Sequence, residues 1–184
     1  VFIYGQDVGP FGGAFKATKN LHSAHPDRVL DAPISEDAIV GAAVGAAIEG
    51  MRPIVEMQFA DFSSIGFNQI VNQAATLYWR TGVPCPITIR LPSGGTPGSG
   101  PFHSQSMESV YSHYPGLVVL TPATVEDAYT MLLDAIALDE QTSVAGVLRP
   151  TNVGAVICAP EPDVVPDDVV GVDCDHGFRL ARAV

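Results

Sequence analysis

Two side chains stand where they could move a proton. Glu36 follows Asp31-Ala-Pro-Ile-Ser35 and leads into Ala38 to Ile48, a run built of Ala, Gly, Val and Ile. A helix N-terminus favours the carboxylate there, whereas apolar neighbours favour the acid. If burial wins, Glu36 can donate a proton to a ligand nitrogen near neutral pH; the plainer reading is a first-turn carboxylate serving the helix end. His103 follows the uncharged loop Pro92 to Pro101, which holds four glycines and three prolines. It either delivers an acid or base into a cleft or bonds backbone as a turn histidine. Phe59 and Phe62 can stack on a flat ring or simply belong to the core.

Other chemistries lack their residues. The glycines of the loop have no Walker Lys-Ser/Thr and no GxGxxG opening a helix. No GxSxG elbow supports a serine nucleophile. Asp7, Glu56 and Asp61, taken with His22 or His25, show no metal-ligand spacing, so no metal site is expected.

The elements that must position these groups alternate. Short apolar runs at Val1 to Tyr4, Arg28 to Leu30, Pro53 to Phe59, Ile87 to Leu91 and Leu117 to Leu120 read as strands. Between them Ser35 is placed as the N-cap of a helix to Ile48, buried on most sides, with Gly50 beyond its end. Phe62 to Trp79 reads as one helix, with Ser64, Asn68 and Asn72 opposite Phe62, Ile70, Ala74 and Leu77. Met107 to Tyr114 reads as a short helix, and Val125 to Leu138 as an amphipathic one with Ala128, Leu132, Ala135 and Ile136 inward. This order implies βαβ crossovers: an α/β fold with a mainly parallel sheet and helices on both faces. Ligands then bind at the carboxyl ends of the strands, where the loops after Tyr4, Leu30, Phe59 and Leu91 face one crevice.

Composition narrows the partners. Apolar residues make up 47% of the 184, enough for a core, and 9 Lys plus Arg against 20 Asp plus Glu leave −11. That charge repels phosphate backbones and argues against nucleic acid. No stretch is apolar enough for a membrane span of about 20 residues. Three cysteines without a CxxC pair fit a reducing compartment. The sequence opens on Val1 inside an apolar run, with no leader pattern, and reads as an internal fragment.

Several segments occur together and in order: Gly5-Gln-Asp-Val-Gly9, Gly12-Gly-Ala-Phe15, Ala32-Pro-Ile-Ser-Glu36, Ile39-Val-Gly-Ala-Ala-Val-Gly-Ala-Ala47, Glu56-Met-Gln-Phe-Ala-Asp-Phe62, Asn68-Gln-Ile-Val-Asn-Gln-Ala-Ala75 and His103-Ser-Gln-Ser106. Over roughly residues 1 to 140 the chain resembles the beta subunit of the thiamine-diphosphate-dependent decarboxylating component of 2-oxo acid dehydrogenase complexes. The resemblance implies a transketolase-like pyrimidine-binding domain and an oxidoreductase acting on pyruvate or branched-chain 2-oxo acids, with acetoin a further option. Glu36 matches the glutamate that hydrogen-bonds the cofactor's pyrimidine nitrogen and promotes its imino tautomer. Ile34, Gln58 and Phe62 match positions around the aminopyrimidine, and His103 matches a histidine implicated in acyl transfer to lipoyl. The family's Gly-Asp-Gly…Asn run for magnesium and diphosphate does not occur, so an alpha subunit would hold both. The implied assembly is an alpha2beta2 heterotetramer on a lipoyl acyltransferase core. It would be cytoplasmic in a bacterium and in the mitochondrial matrix in a eukaryote.

Departures from the family are also visible. Gln6 stands where many relatives have Glu. The expected organisation is a pyrimidine-binding domain over 1–140 without its opening helix, a diverged tail over 141–184, and no C-terminal transketolase-type domain. A potassium site near Ile87 and Thr88, as some relatives show, would need ligands from that diverged stretch. Two alternatives remain: another thiamine-diphosphate enzyme of the transketolase type, and a non-catalytic module that binds the alpha partner.

Overall fold

The structure is a computed structural model that describes residues 1–95 and 97–138, with the backbone of 143–147 and 154–158. Its elements in chain order are β1 (Phe2–Gly5), α1 (Leu21–Ala24), β2 (Val29–Asp31), α2 (Glu36–Ile48), β3 (Pro53–Glu56), α3 (Ala75–Thr81), β4 (Thr88–Pro92), α4 (Glu108–Tyr111), β5 (Val118–Leu120), α5 (Val125–Ala137), β6 (Ser143–Val147) and β7 (Gly154–Cys158). They form one sheet in the order β2-β1-β3-β4-β6-β5-β7. The first six strands run parallel, as βαβ connections require, and β7 lies antiparallel against β4, β5 and β6. The chain moves one way along the sheet from β1 to β2 and the other way through β3 and β4. Strand order therefore reverses at β1, and the crevice between the carboxyl ends of β1 and β3 is a topological switch point.

The core lies where α2 meets the sheet. Ile39, Val40, Ala43, Val44 and Ala47 point inward with Ile70, Val71 and Ala74, against Val55, Met57, Ile87 and Ile89. Each large side chain buried there contributes on the order of 1.5–3 kcal/mol. A buried Glu56–Arg90 pair, matched in register, ties β3 to β4 through bonds of 2.6 Å from Nε and 2.5 Å from Nη2. Burial disfavours the guanidinium charge, but the Glu56 charge and its hydrogen bonds outweigh this and raise the Arg90 pKa. Burial also pushes the Cys85 thiol up to about 12, and the Tyr111 hydroxyl to about 12 despite its bond to Ser63.

Three expectations need correction. The helix over Ala38 to Ile48 is buried on one face only: Ala38, Ala42, Gly45 and Ile48 are exposed. Its small residues leave it without a polar face. Ser35 occupies the N-cap, but its hydroxyl makes no capping bond; the helix starts through Ile39 N–H to the Ser35 carbonyl. The single helix over 62–79 is instead a 3₁₀ turn (Ala60–Ser64), a π-helical stretch (Gln69–Ala74) and α3. Serines explain the first break, since the Ser63 and Ser64 hydroxyls bond the Ala60 and Asp61 carbonyls and compete with helical bonding. The expected faces survive, with Asn68 and Asn72 exposed and Ile70, Ala74 and Leu77 buried. Within the stretch after 141, the runs at 143–147 and 154–158 join the sheet. The rest of the 141–184 tail lies outside the described residues. No helix among the described residues is long and apolar enough to cross a membrane.

Candidate functional site at the switch point

The loops that leave the carboxyl ends of β1 to β4 are tied to one another by side chains. After β1, the Gly9 N–H donates to Asp31 Oδ1 at 2.7 Å, joining the loops of β1 and β2. Asp7, held at φ +57, accepts from Gln58 Nε2 at 3.1 Å, joining the loops of β1 and β3. Asp61 Oδ1 accepts the Ser104 and Gln105 N–H groups at 3.2 and 3.1 Å, joining the loops of β3 and β4. Neighbouring loops are thereby fixed into one rim.

Aromatic rings fill the space between the last two loops. The His103 ring packs edge-on to Phe59 at 4.7 Å and to Phe62 at 5.3 Å between centroids, and Phe15 packs on the other side of Phe59 at 5.3 Å. Phe102 flanks Phe62 and His103 at 6.1 and 5.7 Å. Each such pair contributes on the order of 0.5–1.5 kcal/mol beyond burial, so the imidazole has a defined seat.

Glu36 enters from the first turn of α2. Its backbone lies against the segment that follows Phe62: a Cβ on Gly66 would sit 3.2 Å from the Glu36 carbonyl oxygen and 3.1 Å from Val40, a tight fit that glycine relieves. The Glu36 side chain is 7% exposed and has no hydrogen-bond or ion-pair partner among the described residues. Gln6, at the end of β1, is 5% exposed and likewise unpartnered there. The other buried polar side chains are engaged: Glu56 with Arg90, Asp61 with the loop amides, Ser63 with Tyr111, Thr18 with the Val8 carbonyl and Ser93 with Glu108. Thr88 also has a partner. A buried polar group without a partner is disfavoured unless a ligand supplies one.

The residues singled out from sequence are thus placed unequally. Phe62 and His103 touch one another, Gln58 is drawn toward Asp7, and Glu36 is buried on the same carboxyl-end side of the sheet. Ile34 is 83% exposed on the loop before α2 and joins no cluster. Sequence reasoning missed Asp7 and Asp61, which it weighed only as metal ligands, and their spacing carries no signal for a loop anchor. Among the described residues no three His, Cys, Asp or Glu side chains gather into a metal-binding group. Ile87 and Thr88 are buried, and the stretch from which a potassium ion would draw ligands has no described side chains.

A parallel sheet with a switch point, whose loops carry a buried free carboxyl and an aromatic cluster, defines the class of fold. The chain belongs to the transketolase pyrimidine-binding-domain family, whose model matches residues 1–153. Similar proteins include the 2-oxoisovalerate dehydrogenase subunit beta of Bacillus subtilis, 45% identical over 74% of this chain and 42% of the relative. The pyruvate dehydrogenase E1 component subunit beta of Leifsonia xyli is 43% identical over 76% of this chain and 42% of the relative. The chain therefore spans well under half the length of these curated relatives. A solved structure described as a split gene transketolase, inactive beta4 tetramer, superposes with a TM-score of 0.59 over 91% of this chain and 49% of its own, at 18% identity. That likeness supports the fold.

Proposed function

We propose that this chain is the pyrimidine-binding part of a beta subunit in a 2-oxo acid dehydrogenase decarboxylating component. Such an oxidoreductase decarboxylates a 2-oxo acid and passes the acyl group to a lipoyl arm. The observation that carries this reading is the buried, unpartnered Glu36 carboxyl on the carboxyl-end side of the sheet, the side that also holds the Phe59–His103–Phe62 cluster. These residues fit the aminopyrimidine of thiamine diphosphate: a ring nitrogen needs one buried carboxyl, and a flat ring needs an apolar wall. When bound, that cofactor supplies the electron sink that decarboxylation of a 2-oxo acid requires and that no side chain offers.

The chain's own residues supply placement and protons. Glu36 would hold a proton at the ring nitrogen, in a setting from which water is excluded. Phe62 and Phe59 would wall the ring, and Gln58, steadied by Asp7, would meet its polar edge. His103 would present an imidazole nitrogen for proton transfer during acyl handover. Ile34, open to solvent here, would be covered by ligand or by a partner subunit. Magnesium and the diphosphate would be held by an alpha subunit, since this sequence has no Gly-Asp-Gly…Asn run. The assembly would then be alpha2beta2, docked on a lipoyl acyltransferase. Relatives named for 2-oxoisovalerate and for pyruvate match almost equally, at 45% and 43% identity, which favours 2-oxo acids as a class.

The test is decarboxylation of pyruvate and of 2-oxoisovalerate, with an artificial electron acceptor, by the full-length chain co-expressed with its alpha subunit. Turnover that depends on thiamine diphosphate is expected. A stable complex that turns over neither acid would refute the proposal and favour a non-catalytic interaction module.

A further inference from the structure

We infer that Asp61 is a positioning residue that sets His103 in the site by gripping the two peptide groups immediately after it; this rests on the role proposed for His103. Asp61 is buried, 7% exposed, and sits between Ala60 and Phe62 in the 3₁₀ turn that also supplies a wall of the histidine's seat. One carboxylate oxygen, Oδ1, accepts both the Ser104 and the Gln105 N–H. Two donors converging on one charged acceptor fix the direction in which the chain leaves His103, and bonds to a charged acceptor are the stronger kind. The Gln105 residue is held on its carbonyl side too, since that carbonyl accepts from the Gly94 N–H at 3.4 Å. Two residues further along the same turn, Ser63 accepts from the Tyr111 hydroxyl at 2.7 Å and fastens α4. The turn therefore presents Phe62 to the imidazole, while Asp61 and Ser63 anchor the chain on the C-terminal side of His103. Preceding His103 are Gly98 and Gly100, both at positive φ, and then Pro101, which opens the short 3₁₀ turn that ends at His103. The orientation of His103 then depends on the Asp61 grip on the backbone that follows it, together with the rings that seat the imidazole.

The experiment uses the full-length chain assembled with its alpha subunit and compares D61A, D61N, H103A and the double variant D61A/H103A. Amide hydrogen exchange at Ser104 and Gln105 should rise about tenfold or more in D61A, with β1, β3 and β4 unchanged. kcat should fall toward the H103A level while KM and cofactor affinity hold within about twofold, and the double variant should be no slower than H103A. D61N keeps the accepting oxygen and should restore most of both protection and kcat. Unchanged exchange at the two amides in D61A overturns the inference, and so does a D61N variant as impaired as D61A. If D61A does not assemble, the unmodified protein decides: both amides must exchange at least about tenfold slower than unstructured chain, and unprotected amides overturn the inference. Exchange needs no turnover, so it judges the Asp61 grip even if the unmodified assembly proves inactive, a result that would overturn only the functional reading.

Discussion

Replacing Glu36 with Gln separates a ligand-facing carboxyl from a structural one. The substitution keeps shape and volume and removes the ionisable group. Within the described chain Glu36 has no hydrogen-bond or ion-pair partner to lose. Folding loses only the favourable meeting of a carboxylate with the N-terminus of α2, about 0.3–1 kcal/mol. Easier burial of a neutral amide offsets part of that. Denaturant unfolding of the full-length chain should therefore give a stability within about 1 kcal/mol of the original. Catalysis should respond on another scale, because proton placement by a positioned side chain contributes about 10²–10⁴-fold. Turnover of the assembled enzyme should drop by about that factor, while cofactor affinity drops by about 1.5–3 kcal/mol for one lost bond to a charged group. A stability loss above about 3 kcal/mol would mean that the carboxyl is part of the fold's own bonding. Turnover within about threefold of the original would remove Glu36 from the mechanism. Either result would end the case for Glu36 as the ligand-facing acid.

Two further predictions concern the scaffold. Cys85 and Tyr111 have folded pKa values raised to about 12 by burial, above ordinary values of 9.0 and 10.0. The stability this represents is fully present below pH 9 and is lost as pH rises toward 12, at about 1.4 kcal/mol per pH unit for each titrating group. Unfolding midpoints measured from pH 8 to 11 should fall, and C85A should flatten the decline; a flat profile in the parent would contradict the burial of both groups. Gly116 has φ +87, and a Cβ there would overlap the Ala75 carbonyl oxygen. G116A should cost about 2 kcal/mol or more, read as a lower thermal midpoint, and a neutral result would show that Gly116 does not approach α3 this closely.

Most of the sheet and half of the site were legible in the sequence for different reasons. The β-branched runs bounded by Gly and Pro announce strands through local periodicity, and β1 to β5 fall where that pattern places them. The amphipathic run from Val125 announces α5, and the structure adds a reciprocal capping box between Thr124 and Asp127. The break in the 62–79 helix was not legible, because it depends on serine hydroxyls turning back on local carbonyls and on the Gly66 approach to α2, a tertiary contact. The edge-on meeting of Phe59 with His103 was hidden as well, since 44 residues separate them along the chain (103 − 59). Glu36, Gln58, Phe62 and His103 were identified through a resemblance in motif order, whereas their own residue types left structural readings open. Ile34 shows the limit of such transfer: its 83% exposure shows a position that nothing in the described chain has yet covered.

The distribution of carboxylates at the rim has a physical logic. Asp7, Asp31 and Asp61 each accept a hydrogen bond from a neighbouring loop, so each converts a pair of flexible connections into one rigid edge. Rigid loops hold a ligand group without further ordering at the moment of binding, which leaves more of the interaction free energy for affinity. Glu36 is buried as deeply as Asp61 yet engages nothing in the described chain. A fold that satisfies three carboxylates with loop donors and leaves the fourth unsatisfied keeps that fourth group at a cost in stability, and a ligand able to hydrogen-bond it recovers the difference. The same contrast explains why the aspartates should tolerate asparagine, which keeps an acceptor oxygen, while Glu36 should not tolerate glutamine, which cannot exchange a proton.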